Sequence, residues 1–156
     1  MAFYIIDGPD GCGKSTLANA LSDITGGVIQ AWHKDSSYLE YAKRLLDPDY
    51  NEIWDRCFID ERVYQPVMRP GEESRLFTPQ QYEVLVHLLK IACPTFIFCN
   101  TIIREEDPYV SPEQNRRVLQ GFKRILCEPM FYDIRVLNYD ATQWKPEQFA
   151  EYIAHD

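Results

Sequence analysis

The chain has 156 residues, 46% of them hydrophobic and 13% aromatic, which is enough for one domain with a single core and excludes a disordered chain. The formal net charge of −8 argues against attraction of the whole surface to nucleic acid or to an anionic membrane. No segment approaches the roughly 20 apolar residues that span a bilayer, and no basic region precedes the first apolar run. We therefore expect a soluble, cytoplasmic protein.

Short apolar runs alternate along the chain with segments of helical periodicity. The strand candidates are Phe3–Ile6, Val28–Ala31, Glu52–Trp54, Thr95–Cys99 and Ile134–Leu137. The helix candidates are Ser15–Ile24, Tyr38–Leu46, Arg62–Met68, Pro79–Ala92, Pro112–Leu126 and Pro146–Ala154. This alternation predicts an α/β fold over residues 1–156, with a doubly wound, parallel five-stranded sheet and helices on both faces. In such a sheet, ligands bind at the carboxyl ends of the strands.

A glycine-rich motif follows the first predicted strand. Residues Gly8–Thr16 satisfy the pattern G-x-x-x-x-G-K-[ST] in full. Its glycines let the backbone curl so that N–H groups converge on a phosphate, and the next helix directs its positive end at the same oxygens. Lys14 can reach the β- and γ-phosphates, and Ser15 can ligate Mg²⁺. We predict an ATP–Mg²⁺ site formed by Gly8, Asp10, Gly11, Cys12, Gly13, Lys14, Ser15 and Thr16.

The five cysteines predict thiols rather than disulfides or a zinc site. They form no C-x-x-C pair and have no histidine at zinc spacing. We expect them to be small buried side chains in a reducing compartment. Cys12 is the exception, because its place within the glycine-rich motif makes it a candidate for reactivity.

A second group of candidate site residues lies at the end of the third predicted strand. In Glu52–Arg56, an acid and then an arginine follow the apolar residues. Asp55 would face the phosphate loop from the neighbouring strand, where a carboxylate can support Mg²⁺. Arg56 would point toward the place where an acceptor approaches. The alternative is that the two residues form a surface pair at the end of a strand.

These motifs resemble the thymidylate kinases and the small phage-type deoxynucleoside monophosphate kinases, which are P-loop kinases. The family pattern of an acid followed by G-x-D-G-x-G-K-[ST] is matched by Asp7–Ser15. The family's D-R signature, followed by Y-Q and a later arginine, is matched by Asp55-Arg56, Tyr64-Gln65 and Arg69. A helix ending in R-x-L-L or similar is matched by Lys43–Leu46. The resemblance spans roughly residues 3–70.

On the donor side, the resemblance implies an ATP-dependent nucleotide kinase with a short lid over about residues 104–114. Lys14 and Ser15 would hold ATP and Mg²⁺, and Asp55 would support the metal. The catalytic residues would be Lys14, Asp55, Arg56 and a lid arginine. We predict Arg104 for the lid arginine, with Arg116 and Arg117 as alternatives.

On the acceptor side, the resemblance implies that Arg44 and Arg56 grip the acceptor phosphate and that Asp10 contacts the acceptor sugar. Two departures bear on this pocket. Only Asp47–Glu52 separates the Lys43–Leu46 helix end from the D-R strand, where thymidylate kinases have a much longer helical insertion. Asp60 and Glu61 stand where the family has small neutral residues. The implied substrate-binding residues are Asp10, Arg44, Arg56, Asp60, Glu61, Tyr64 and Arg69.

Three functions remain open from the sequence. The first is transfer to a deoxynucleoside monophosphate, a small-molecule acceptor whose phosphate needs no general base. The second is transfer to a hydroxyl of a nucleoside or of a 5-hydroxymethylpyrimidine in DNA, where Asp10, Asp60 or Glu61 would have to take the proton. The third is a non-catalytic nucleotide-binding regulator. Nucleic acid is a partner only in the second, and the oligomeric state stays open, a homodimer included.

Overall fold

The computed structural model describes residues 2–49, 51–105 and 107–155. Its sheet has five parallel strands in the order β2-β3-β1-β4-β5. The strands are β1 Tyr4–Asp7, β2 Val28–Ala31, β3 Glu52–Asp55, β4 Thr95–Cys99 and β5 Arg135–Tyr139. The helices are α1 Lys14–Thr25, α2 Tyr38–Leu46, α3 Ile59–Met68, α4 Pro79–Ala92, α5 Pro112–Leu126 and α6 Pro146–Ala154, with a short 3₁₀ turn at Pro129–Phe131. This architecture confirms the predicted fold class.

Alternating strand residues divide the core between the two faces of the sheet. Ile5 and Trp54 point to the face covered by α2, α3, α4 and α5. Ile6 and Ile53 point to the face covered by α1 and α6. Successive side chains of a strand point to opposite faces, so a strand that is apolar on both sides must be covered on both. No helix among the described residues is long and apolar enough to cross a membrane.

Local sequence signals define most helix starts. Three helices begin with a capping box, in which a Ser or Thr side chain accepts the N–H of the third helical residue, whose own side chain binds back: Ser37/Glu40, Thr78/Gln81 and Ser111/Gln114. Such caps typically contribute about 1 kcal/mol each. Proline occupies the first position of α4, α5 and α6.

Helix α3 lacks such a signal and begins earlier than predicted. The predicted start is Arg62, whereas the helix begins at Ile59, after Phe58 in a helical conformation and without a side-chain cap. Asp60 and Glu61 therefore lie in the first turn of α3, where the helix dipole favours acids. This placement turns both acids toward the site described below.

Two cysteines differ from the expectation that the thiols are buried. Cys93 and Cys127 are exposed, because they end α4 and α5 at the protein surface. Cys12, Cys57 and Cys99 are buried and free.

Candidate active site

The phosphate loop connects β1 to α1 at the carboxyl edge of the sheet. Gly13 precedes α1 with φ 89°, a left-handed conformation that favours glycine. The Lys14 side chain curls back into the loop, and its Nζ donates to the carbonyl oxygens of Gly8 at 3.0 Å and Pro9 at 2.6 Å. Lys14 is only 6% exposed, so its charge is concentrated inside the curve of the loop.

Cys12 lies beside this charge and is itself buried. The Lys14 Nζ is 3.6 Å from the Cys12 Sγ. Burial raises the pKa of the Cys12 thiol, but a hydrogen bond with Cys99 and the charge of Lys14 lower it by more, to about 7. Burial restricts access of reagents to this thiol, which works against the reactivity expected from the sequence.

Ser15, in the first turn of α1, contacts Asp55 at the end of β3. Because β1 and β3 pair in parallel with Ile6 opposite Asp55, the end of β3 lies beside the loop that leaves β1. The Ser15 Oγ donates to the Asp55 Oδ2 at 2.8 Å. The Asp55 Oδ1 is buried and has no hydrogen-bond partner among the described residues.

A hydroxyl and an underused carboxylate oxygen fit a hard divalent cation such as Mg²⁺. Within the described ranges, no cluster of three or more His, Cys, Asp or Glu could hold a metal alone. Magnesium generally keeps only one or two protein ligands and takes the rest from phosphates and water, so the arrangement fits a nucleotide-bound Mg²⁺.

A cavity of about 550 Å³ adjoins the phosphate loop. It is framed by the segment after β2, by Tyr41 of α2, by one side of α3 along its whole length and by the lid. Its lining includes Asp10, Trp32, His33, Lys34, Tyr41, Arg56, Phe58, Asp60, Glu61, Tyr64, Arg69, Asp107, Tyr109 and Val110. The structure thus brings together all the substrate-binding candidates except Arg44.

Arg56 stands where the cavity meets the phosphate loop. Its Nη2 donates to the Asp10 Oδ1 at 2.8 Å, and its Nη1 donates to the Asp60 Oδ2 at 3.3 Å. Burial lowers the pKa of Arg56, but Asp60 and Asp10 raise it by more, so the guanidinium stays charged. Its backbone has φ 75°, a conformation that costs a non-glycine residue about 1–3 kcal/mol and that clusters at functional sites.

A buried carboxyl group lies behind this junction. Asp7 is fully buried, and its two oxygens accept from the backbone N–H groups of Gly8 at 2.8 Å and Cys57 at 3.1 Å. Burial raises the pKa of Asp7 well above its ordinary value, and the neighbouring Asp60 raises it further. The sequence identified Asp7 only as part of the motif, without a role.

A second ion pair lies further along α3. The Arg69 Nη2 donates to the Glu61 Oε1 at 2.8 Å, and the Ser74 Oγ donates to the same oxygen at 3.0 Å. Nearby, the Tyr64 hydroxyl and the Trp32 Nε1 are buried without hydrogen-bond partners among the described residues. Burial, and then the charge of Asp60, raise the pKa of Tyr64. Polar atoms of this kind are available to a bound ligand.

Arg44 does not lie at the site, which corrects the role implied by the resemblance. Its side chain makes an ion pair with Glu52, to which its Nε donates at 3.0 Å. Glu52 is the first residue of β3, whereas Asp55 is the last. The Arg44–Glu52 pair therefore lies about 10 Å from Asp55 along the strand, toward the amino ends of the strands. Glu52 also accepts from the Trp54 Nε1 at 3.0 Å. Arg44 therefore fastens α2 to β3.

The lid arginines lie outside the cavity. Arg104 is exposed and contacts the phosphate loop through its backbone, whose N–H donates to the Gly11 carbonyl at 3.1 Å. Arg116 pairs with Glu105 at 3.4 Å on the surface, and Arg116 and Arg117 line a shallow groove between α3 and α5. The lid side chains that do line the cavity are Asp107, Tyr109 and Val110. Glu106 lies outside the described residues.

Sequence reasoning missed Lys34 and Asn115. Lys34 follows β2 and lines the cavity, without an ion pair among the residues described. Its position after a predicted strand was a usable signal, because the ends of parallel strands converge on one edge. Asn115, in α5, binds the backbone of Asp10. Its spacing from Val118 and Phe122 was a usable signal, because it places this polar residue on the buried face of α5.

Solved structures that share this fold include a deoxyadenosine kinase and a thymidylate kinase. YorR from Bacillus subtilis, in complex with phosphorylated GDP, has a TM-score of 0.71 and 20% identity, covering 99% of this chain and 94% of that one. Deoxyadenosine kinase from M. mycoides with bound dATP has a TM-score of 0.62 and 15% identity, covering 98% and 97%. Thymidylate kinase from Candida albicans has a TM-score of 0.62 and 16% identity, covering 99% and 89%.

These likenesses show the fold of the P-loop nucleotide kinases, in agreement with the resemblance found in the sequence. No family model matches the chain, and no curated protein sequence matches it.

Proposed function

We propose that the protein is an ATP-dependent kinase that transfers the γ-phosphoryl group to a deoxynucleoside monophosphate. The observation that carries this proposal is the position of Arg56, at the junction between a complete phosphate loop and a separate cavity of about 550 Å³. A kinase needs a donor site and an acceptor site that meet in line at a point of positive charge. Structural neighbours that are themselves nucleoside and nucleotide kinases support the same class.

On the donor side, the loop N–H groups and Lys14 would bind the phosphates of ATP. Ser15 and Asp55 would hold Mg²⁺, which neutralises phosphate charge when it is bound. The Lys14 ammonium would move from the Gly8 and Pro9 carbonyls to the β- and γ-phosphates, a short displacement within the same loop.

On the acceptor side, Arg56 and Lys34 would bind the acceptor phosphate. A phosphate oxygen attacks as an anion, so this reaction needs in-line positioning and positive charge rather than a general base. The aromatic walls formed by Trp32, Tyr41 and Phe58 would contact the nucleoside. Glu61 and Arg69 would lie further from the transferred group.

One observation favours a second candidate, transfer to a hydroxyl. Arg56 and Arg69 are each already paired with a carboxylate, and Arg44 is absent from the cavity. Asp60 lines the cavity, and its Oδ1 is buried with no partner among the described residues besides the neighbouring Asp7 carboxyl group, so Asp60 is the candidate to accept a proton from a hydroxyl. The acceptor would then be a nucleoside or a hydroxymethylated pyrimidine.

The test measures ATP consumption with deoxynucleoside monophosphates, nucleosides and hydroxymethylpyrimidine DNA, with Lys14→Ala as the inactive control. A monophosphate acceptor should give a kcat/KM that rises with pH near the second phosphate pKa, about 6. Asp60→Asn should then retain turnover. Loss of turnover in Asp60→Asn or Glu61→Gln, together with preference for an unphosphorylated acceptor, would establish the hydroxyl kinase instead.

A further inference from the structure

Asn115 makes two hydrogen bonds with the backbone of a single phosphate-loop residue. Its Nδ2 donates to the Asp10 carbonyl at 2.7 Å, and its Oδ1 accepts from the Asp10 N–H at 3.1 Å. Asn115 is only 5% exposed and is the polar member of the buried face of α5, which also carries Val118 and Phe122. A buried amide with both ends satisfied fixes its partner in position as well as in direction.

The lid holds the next residue of the loop in the same way. The backbone N–H groups of Ile103 and Arg104 donate to the Gly11 carbonyl at 2.8 and 3.1 Å. Asp10 and Gly11, the tip of the phosphate loop, are thus bonded to α5 and to the base of the lid. Hydrogen bonds from two separate segments leave this tip little freedom to rotate.

The direction of the Asp10 backbone determines where its carboxylate lies. That carboxylate accepts from Arg56 at 2.8 Å, and Arg56 in turn donates to Asp60. A series of direct contacts therefore runs from Asn115 through Asp10 to the guanidinium at the mouth of the cavity. The N–H of Asp10 is taken up by Asn115 and is not free for a phosphate.

We propose that Asn115 is a positioning residue, which holds the Asp10 carboxylate in register with Arg56 so that the acceptor binds in line with the phosphate loop. This inference rests on the proposed function for its kinetic consequences. It assigns Asn115 to acceptor binding and leaves ATP binding to the rest of the loop.

Asn115→Ala removes both hydrogen bonds. Without them the Asp10 carboxylate is no longer held beside Arg56, so we expect the KM for the acceptor to rise about tenfold or more. The Kd for ATP should change by no more than about threefold, because the Lys14, Ser15 and Asp55 contacts remain. An equal loss of affinity for ATP and acceptor would overturn the proposal, as would unchanged kinetics.

Asn115→Asp supplies a pH-dependent version of the same test. A protonated carboxyl accepts with one oxygen and donates with the other, as the amide does, whereas a carboxylate has no proton for the Asp10 carbonyl. Burial against that carbonyl should raise the pKa of the new group. Among the described residues, the charged side chains joined to this junction are Asp10, which Asn115 binds, and then Arg56 and Asp60. Arg104 meets the phosphate loop through its backbone.

The ratio of kcat/KM for the acceptor, variant to wild type, should therefore fall about tenfold between about pH 6 and pH 8 in Asn115→Asp. It should stay flat in Asn115→Ala. Gln120→Glu is the matched control, since it adds the same charge at an exposed position of the same helix and should leave the ratio flat near one. A flat profile in Asn115→Asp would contradict the positioning role.

A measurement without substrate separates this inference from the proposed function. Hydrogen exchange of the Asp10 amide, resolved by NMR, reports its contact with Asn115 directly. The amide should exchange about tenfold faster in Asn115→Ala than in wild type, with Gln120→Glu unchanged. Unchanged exchange overturns the role of Asn115, whatever the acceptor is. If exchange rises but the wild type phosphorylates none of the acceptors tested, the proposed function fails while the loop contact stands.

Discussion

Two arginines of the same chain illustrate how position decides role. Arg44 and Arg56 both carry the positive charge that a phosphate acceptor requires, and both pair with carboxylates. Arg56 leaves β3 with φ 75°, which directs its side chain across the loop to Asp10. Arg44 pairs with Glu52 at the far end of the same strand.

Replacing each arginine by alanine should therefore give opposite results. Arg56→Ala should raise the acceptor KM by about 10- to 100-fold, the worth of one charge-assisted contact, with little change in the Kd for ATP. Arg44→Ala should leave both constants unchanged and lower the free energy of unfolding by about 1–3 kcal/mol, because Glu52 loses a partner while only 3% exposed. Steady-state kinetics and urea denaturation measure the two effects. A raised acceptor KM in Arg44→Ala would restore the role implied by the resemblance.

Lys14 carries the positive charge of the phosphate loop, held in place by the Gly8 and Pro9 carbonyls. Lys14→Ala should leave a folded protein and reduce kcat by a factor of about 100 or more, since one such contact commonly supplies about 3 kcal/mol at the transition state. Single-turnover assays with ATP in excess check this, and circular dichroism checks the fold. Retention of more than about a tenth of wild-type kcat would refute the assignment of Lys14.

At the scale of elements, the lid and the phosphate loop approach each other at one glycine. Gly11 has φ 73°, and a Cβ there would lie 2.0 Å from the Arg104 carbonyl oxygen. Backbone cannot give way as a flexible side chain can, so any side chain at this position must separate the lid from the loop. The general pattern G-x-x-x-x-G-K-[ST] allows any residue at this position, whereas the lid contact leaves no room for a side chain there.

Gly11→Ala tests this contact against a matched glycine. Gly26 has φ 74°, with nothing within 4 Å of its would-be Cβ. Gly26→Ala should thus lower the free energy of unfolding by only about 1 kcal/mol, the cost of a left-handed backbone, and should leave the kinetics unchanged. Gly11→Ala should be destabilised by more and should lose at least about tenfold in kcat. Thermal unfolding and kinetics are measured for both variants. Gly26→Ala reports the backbone strain alone, and Gly11→Ala reports the same strain together with the clash against the lid. Equal effects would mean that the lid contact is unimportant.

At the scale of the whole molecule, the buried Asp7 makes stability depend on pH. A carboxyl whose pKa is raised by folding binds its proton more tightly in the folded state than in the unfolded state. Its stabilising contribution is complete below the ordinary carboxyl pKa of about 4 and is lost as pH rises through the higher folded value.

Asp7→Asn removes this titration. We expect the free energy of unfolding of the wild type to fall, relative to that of Asp7→Asn, as pH rises above about 4. Urea denaturation at a series of pH values gives the difference between the two proteins. The test is how the difference in free energy of unfolding changes with pH and not its size, because the asparagine also loses one of the two backbone N–H contacts at every pH. A difference that does not vary with pH would show that Asp7 titrates as an ordinary carboxyl.

Local sequence determined most of the elements and the donor half of the site. Val28–Ala31, Thr95–Cys99 and the last three helices lie where their apolar periods, capping residues and prolines predicted. The phosphate loop is likewise a short-range property, because its glycines and the following helix create the anion site within nine residues. Asp55 could be paired with it because the parallel topology follows from alternating strands and helices.

Only the tertiary structure decided the acceptor half. The early start of α3 at Ile59 has no capping signal, so the placement of Asp60 and Glu61 depends on packing of the helix. Arg44 meets Glu52 because α2 packs against β3, where Tyr41 contacts Trp54, and Asn115 meets Asp10 across 105 residues. Contacts of this kind, whether eight or 105 residues apart, form when separate elements pack together, and no local periodicity or motif encodes which side chains will then meet.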